Sequence, residues 1–226
     1  MYIRKGGRPV GERPATREQL LDAASALMIE RDTVELSISD IAARAGVNSA
    51  LISYYFKGKQ GLLIALTRRA AEVALAELDT LMAMDLSPTE KMRRHLAGVI
   101  NTFFLYPYLN RLLWALSRDA SSEGARDMMS FFAKPVADAQ RKLIEEGVAA
   151  GEFRPIDPIL FHFAAFGACE YLFAGTTMLR LVFGVDGVND ALRRRYIETT
   201  TDMLMNGYVT AEPKTAKTAS PRAITT

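Results

Sequence analysis

Between Thr16 and Val209 apolar residues recur at three- and four-residue spacing, and glycines and prolines fall between those segments. No sustained apolar/polar alternation interrupts them. A period near 3.6 marks a helix with one face in a core, whereas a half-buried strand alternates. The chain is therefore expected to be all-α. Its 226 residues, 49% hydrophobic and 24% charged, suffice for one or two domains with a real core and argue against collagen-like, disordered and membrane-spanning classes. The longest apolar-rich stretch, 158–174, is interrupted by His162 and Glu170. At ~1.5 Å per residue it falls short of the ~30 Å hydrocarbon core. The opening MYIRKGGRPVGERP lacks the apolar segment of a secretory signal, and the lone Cys169 allows no intrachain disulfide. Both suit a cytoplasmic chain with no membrane partner.

Capping residues mark the helix boundaries. Thr16-Arg17-Glu18-Gln19 has the form of a capping box, followed by an apolar stripe of Leu20, Leu21, Ala24, Leu27 and Met28. Ser37-Ile38-Ser39-Asp40 opens a short helix through Ile41, Ala42 and Ala45, which Gly46 ends by tolerating a left-handed backbone. Asn48 caps a third short helix to Phe56. Residues 57–59 break it, and a long helix is expected over 59–84. Ser87-Pro88-Thr89-Glu90 and Asp157-Pro158 place a cap before a proline, a strong start signal. Further helices are expected from 88 towards Pro107 and over 108–118, 122–150, 158–183 and 188–208. The tail from Thr210, with Ile224 as its one large apolar residue, is expected to be disordered.

The formal net charge is only +2, but residues 1–17 carry five basic side chains against Glu12 alone. So basic an arm suits a polyanion, although a solvated terminus is the plainer account. The segment Ser37–Phe56 is more specific. Two short helices meet at a tight turn, with small Ala42 where they cross, Gly46 at the turn, and Val47 and Ile52 as apolar pins. The face left free carries Ser49, Ala50, Ser53, Tyr54 and Tyr55. A helix fits the DNA major groove, where small residues let the backbone approach and phenolic hydroxyls reach bases or phosphates. On spacing alone, an ordinary helical hairpin with surface tyrosines fits equally well.

The stretches TREQLLDAA at 16–24 and TVELSISDIAARAGVNSALISYYFKGKQGLLIAL at 33–66 together resemble the DNA-binding domain of the tetracycline-repressor (TetR) family. That resemblance implies a dimeric, all-α transcriptional regulator, most often a repressor of a double-stranded DNA operator. It implies a basic flexible arm at 1–15 and a three-helix helix-turn-helix domain at 16–60. A larger helical domain at 61–209, for dimerisation and a small organic effector, then precedes the tail at 210–226. Ser49, Ala50, Ser53 and Tyr54 take the groove-facing positions, with Ser37 beside them and Tyr55 and Lys59 on the phosphate backbone. Lys59 opens a helix, so its ammonium and the free N–H groups there can share one phosphate. Arg8, in Gly-Arg-Pro, is placed to enter an adjacent minor groove. Gly58 and Gln60 depart from the family's usual capping and acidic residues.

In the larger domain the candidate ligand residues are Phe103, Tyr106, Arg111, Trp114, Arg118, Phe131, His162, Phe166, Glu170 and Phe173. Core packing accounts for any single aromatic among them. His162 and Glu170, eight apart, project to similar faces. A buried carboxylate requires a donor, and Arg111, Arg118 or a ligand amine would serve for Glu170. His95 and His162 have no metal-ligand spacing, Cys169 is expected in the core, and no cofactor is called for. The helix from Pro158 is apolar nearly all round, as expected of one that faces its own domain and a second copy. Leu192, Tyr196, Thr199, Met203 and Leu204 would complete that interface, with Arg193-Arg194-Arg195 as its solvated rim. PIDPILFHFAAFGACEYLFAG and YPYLNRLLWAL are weakly similar to the C-terminal domain of RutR, the pyrimidine-responsive member of the family. No Ser-His-Asp order, HExxH or glycine-rich phosphate loop suggests an enzyme. A helical ligand-binding or scaffold protein without DNA function, or an activator, remains the alternative.

Overall fold

A computed structural model describes residues 13–118 and 123–206. Among the described residues there are ten helices and no strand: α1 (Arg13–Glu30), α2 (Ile38–Ala45), α3 (Ala50–Phe56), α4 (Lys59–Ala83), α5 (Pro88–Leu105), α6 (Leu109–Arg118), α7 (Glu123–Ala149), α8 (Pro158–Ala174), α9 (Thr176–Phe183) and α10 (Asp190–Asn206). Arg8 and the tail 210–226 lie outside the described residues.

Most boundaries sit where the caps place them. Ser37 Oγ accepts from the Asp40 N–H at 3.0 Å. Gly46, at φ 66°, donates to the Ala43 carbonyl while Val47 donates to that of Ala42, the paired bonds of a left-handed helix end. Ser87 and Glu90 form a complete capping box, and Asp157 Oδ1 accepts from the N–H groups of Ile159 and Leu160. Two expectations change. α1 begins at Arg13, so Thr16 and Gln19 lie inside the helix instead of capping it. Pro14, second in the helix, occupies a first-turn position where a missing N–H costs nothing. The single helix expected over 158–183 is two helices, bent by 64° at Gly175. No single described helix is long and apolar enough to cross a membrane.

Three buried clusters hold the helices together. The first joins α1, α2, α3 and the start of α4 through Leu20, Leu21, Ile41, Ile52, Phe56 and Leu62, and it extends to Tyr108 and Leu112. Tyr108 is fully buried, and its hydroxyl is 2.8 Å from Ser25 Oγ. The helix-turn-helix core is thus completed by a residue some fifty positions beyond it. The second cluster packs α5 against the end of α7, α8 and α10. The third packs α4 against α6 and α7. Fully burying each such leucine or isoleucine contributes about 1.5–3 kcal/mol before chain entropy is set against it.

Arg193 corrects the view of 193–195 as a solvated rim. Its guanidinium lies over the Phe104 ring at 4.8 Å and donates to Asn101 Oδ1 and Asp190 Oδ1, whereas Arg194 and Arg195 are exposed. Tyr196 also turns inward, its hydroxyl donating to the Ala168 carbonyl. Leu204 packs against the second cluster, which leaves Thr199 and Met203 outward. On α8 the outward residues are apolar or small: Ile159, Leu160, Phe163, Ala164, Gly167, Tyr171 and Ala174.

Candidate nucleic-acid interface and effector cavity

Ile52 and Phe56 anchor α3 from below, and this fixes which side chains face out. Ser49, Ala50, Ser53 and Tyr54 are all exposed and lie on one contiguous face, with Tyr54 65% accessible. The cap for α3 comes from Asn48, whose Oδ1 accepts from the Ala50 N–H at 2.8 Å. The Ser49 side chain makes no cap bond. Tyr55 is half-buried and edge-on to Tyr54, with ring centroids 5.0 Å apart. That contact steadies the outer ring. Ser37 is exposed but spends its hydroxyl on the α2 cap and on Ser39 Oγ. Lys59 opens α4, its Nζ 3.7 Å from Glu35 Oε2. That is too long for a tight pair, so the ammonium is available. The N-cap Gly58 offers α4 no side-chain bond and no acid lies in its first turn, so the positive end of its dipole favours an anion there.

Gly61 was not singled out by sequence and matters at this corner. A Cβ there would lie 1.7 Å from the Phe56 carbonyl oxygen. Only a residue without a side chain lets α4 start so close beneath the end of α3.

The candidate ligand residues divide. Trp114, His162, Phe166 and Glu170 line one cavity of about 370 Å³ between α6, α7 and α8, together with Phe132 and Phe163. Phe103 instead borders a smaller cavity of about 190 Å³ between α4, α5 and α7, with Phe132 and Phe166 forming part of both walls. Tyr106 packs between the first and third clusters, Phe131 lies under the Arg68 guanidinium at 4.3 Å, and Phe173 is buried beside Phe104 and Tyr196. Arg118 is exposed at the end of α6. None of these four lines either cavity.

Arg111 does not pair with Glu170. Its guanidinium donates to the Asp32 carbonyl at 2.7 Å and to Asp32 Oδ1 at 2.6 Å. Asp32 sits just past α1 with φ 49°, and its other carboxylate oxygen accepts from Thr176 Oγ1 at 3.1 Å. One residue after α1 thus ties α6 and the first turn of α9 to the helix-turn-helix domain. Because the pair is partly exposed, solvent screening limits it. A double-mutant cycle of Asp32→Ala and Arg111→Ala in denaturant unfolding should give a coupling of about 1 kcal/mol. Additive losses would mean that the contact carries nothing between the domains.

A polar relay crosses the apolar interior. Gln140 is buried; its Nε2 donates to His95 Nε2 at 2.9 Å, and its Oε1 accepts from His162 Nδ1 at 2.7 Å. Burial pushes the His95 pKa down to about 4 and also lowers that of His162. Cys169 is buried, and its thiol is pushed up to about 12 by desolvation, which makes it inert packing. Among the described residues no group of three or more His, Cys, Asp or Glu side chains is arranged to hold a metal.

Residues 20–66 match the family described as bacterial regulatory proteins, tetR family. Residues 85–214, more than half of the chain, match the tetracyclin repressor-like C-terminal domain. The chain belongs to the TetR family. The HTH-type transcriptional regulator BetI of Serratia proteamaculans is 31% identical over 162 residues, covering 62% of this chain and 79% of that protein. A TetR/AcrR-family regulator from Thermobifida fusca is 26% identical with a TM-score of 0.66, covering 87% of this chain and 100% of that one. AibR, in complex with isovaleryl coenzyme A and operator DNA, shares the fold at 18% identity and a TM-score of 0.66, covering 84% of this chain and 98% of its own. This TetR-family chain is a ligand-responsive, DNA-binding transcriptional regulator that acts as a homodimer.

Proposed function

We propose that the chain is a repressor released from a palindromic operator when a small organic molecule enters the α6–α7–α8 cavity, and that it works in the cytoplasm, where that DNA is. The observation that carries this reading is the outward face of α3. Ser49, Ala50, Ser53 and Tyr54 are held to solvent on a helix whose other side is sealed into the core. In the dimer two such helices enter successive major grooves about one DNA turn (~34–36 Å) apart. Tyr55, Lys59 and the open N-terminus of α4 take the phosphates. The structure of AibR with both an acyl coenzyme A and operator DNA supports a two-ligand scheme for this fold.

The residues that transmit the effector lie on α6 and in the turn that leads into it. Asn110, Leu113 and Trp114 face the cavity, while Tyr108 and Arg111 on the other side hold Ser25 and Asp32. An effector that displaces α6 moves the helix-turn-helix domain with it, and α4, packed against α7, follows as a lever. The ligand must favour the low-affinity spacing, or the population does not shift.

The DNA contacts separate by kind. With DNA selected from random sequence, Lys59→Ala should weaken binding about equally for all operator variants and lower the slope of log affinity against log salt by roughly one. Tyr54→Ala and Ser49→Ala should instead re-order the preferred variants. Identical behaviour of the two kinds of mutant across the panel would overturn the division between phosphate and base contacts.

A further inference from the structure

The cavity between α6, α7 and α8 has room for a small organic molecule, and its lining is chemically one-sided. Trp114, Phe132, Phe163 and Phe166 give it four aromatic rings. Glu170 is the one lining residue with a formal charge, and among the described residues no lysine or arginine borders the space. Of the two α6 arginines considered for it, Arg111 is turned away to Asp32, and Arg118 is exposed at the helix end, outside the lining. Glu170 itself forms no ion pair or hydrogen bond with any other described side chain. Burial keeps the His162 imidazole neutral near pH 7, and its Nδ1 is committed to Gln140. Aromatic faces present the negative lobe of their quadrupole. Among its lining residues the cavity therefore holds a carboxylate and four electron-rich rings and no cation.

Such a lining rejects anions. A carboxylate or phosphate entering it would meet a like charge where water is partly excluded, and like-charge contacts of that kind cost several kcal/mol. A cation meets the reverse. It gains the ring faces and gives Glu170 the partner that the chain does not supply. We infer that the effector is an organic cation, a protonated amine or quaternary ammonium ion on an apolar body, with Glu170 as counter-ion and Trp114, Phe163 and Phe166 as its walls. This inference rests on the cavity being the effector site, as proposed above. Phe163 lies at the rim of the cavity, 71% exposed in the single chain, on the α8 face expected to meet a second copy.

Trp114 is the chain's one tryptophan and lines the cavity, so its fluorescence reports occupancy directly. Three soluble probes of similar shape and different charge should be titrated into the full-length dimer: 2-phenylethylammonium, 2-phenylethanol and 3-phenylpropionate. The ammonium should bind tightest. Glu170→Gln, checked to melt as the wild type does, should weaken the ammonium about tenfold or more, the loss expected when a charge-assisted contact is removed, and should narrow its lead over the alcohol. Phe163→Leu keeps the apolar area and removes a ring face, and should weaken the ammonium more than the alcohol. Equal or tighter binding of the alcohol or the propionate, or an ammonium affinity untouched by Glu170→Gln, would overturn the cationic assignment and leave the cavity as effector site. Silence of Trp114 towards all three probes would overturn the cavity reading as well.

Discussion

Gly61→Ala is expected to cost the N-terminal domain on the order of 4 kcal/mol, well above an ordinary surface substitution. The added Cβ would lie 1.7 Å from the Phe56 carbonyl oxygen and 2.9 Å from its carbon. Both are backbone atoms at the end of α3, so no side-chain rotation relieves the overlap. The α3–α4 corner has to open, and with it go the burial of Phe56 and Leu62 and the position of Lys59 at the start of α4. Affinity for selected operator DNA should fall by at least roughly a hundredfold, since each 1.4 kcal/mol is a factor of ten. Gly98→Ala is the matched control. It stands within α5 with nothing within 4 Å of the added carbon, so the change should be neutral or stabilising by up to about 1 kcal/mol. A Gly61→Ala protein that unfolds in denaturant at the wild-type midpoint would contradict the close approach.

Acid should weaken the fold through His95. Its folded pKa of about 4 lies below the unfolded value near 6.5, so between those limits the unfolded chain binds a proton that the folded chain refuses. The contribution is fully present above pH 6.5, declines as the pH falls towards 4, and is flat below. Integrated over that window it is about 3 kcal/mol. The geometry supplies the cause: a proton on His95 Nε2 would face the Gln140 amide N–H that it now accepts from, inside a buried apolar setting. Titration of surface carboxylates also lowers stability in acid, so the useful quantity is the unfolding free energy of wild type minus that of His95→Gln. This difference should shrink by about 3 kcal/mol from pH 7 to pH 4. A difference independent of pH would show that the ring is not buried neutral. His162, half-buried with its pKa lowered, adds in the same direction.

Local features were the legible ones. Ser37, Gly46, Asn48, Ser87 and Asp157 set helix ends through bonds that span two to five residues, and a single sequence shows such bonds directly. The outward set on α3 was legible for the same reason: Val47, Ile52 and Phe56 choose the inner side, and Ser49, Ser53 and Tyr54 are what remains. Where the pattern misled, the competing interaction came from far along the chain or from a weaker local signal. Thr16 and Gln19 formed a plausible cap, but Pro14 allows the helix to begin earlier. The apolar run 158–183 gave no warning that Gly175 divides it, because hydrophobicity continues through the bend. Arg193 looked like a rim residue until Phe104 and Asn101 were brought beneath it.

By itself, then, the amino-acid order settled the helical class, most of the helix ends and the outward face of α3, since each depends on neighbours within a turn or two. Only the tertiary structure decided that Arg111 serves Asp32 and not Glu170, that Gln140 joins His95 to His162, and that Gly61 lies against Phe56. Of these, the pairings of Arg111 and Gln140 join residues 22 to 79 positions apart. A side chain of fixed reach takes whichever partner folding brings near it, and helical periodicity states which way a residue faces without stating what it will meet.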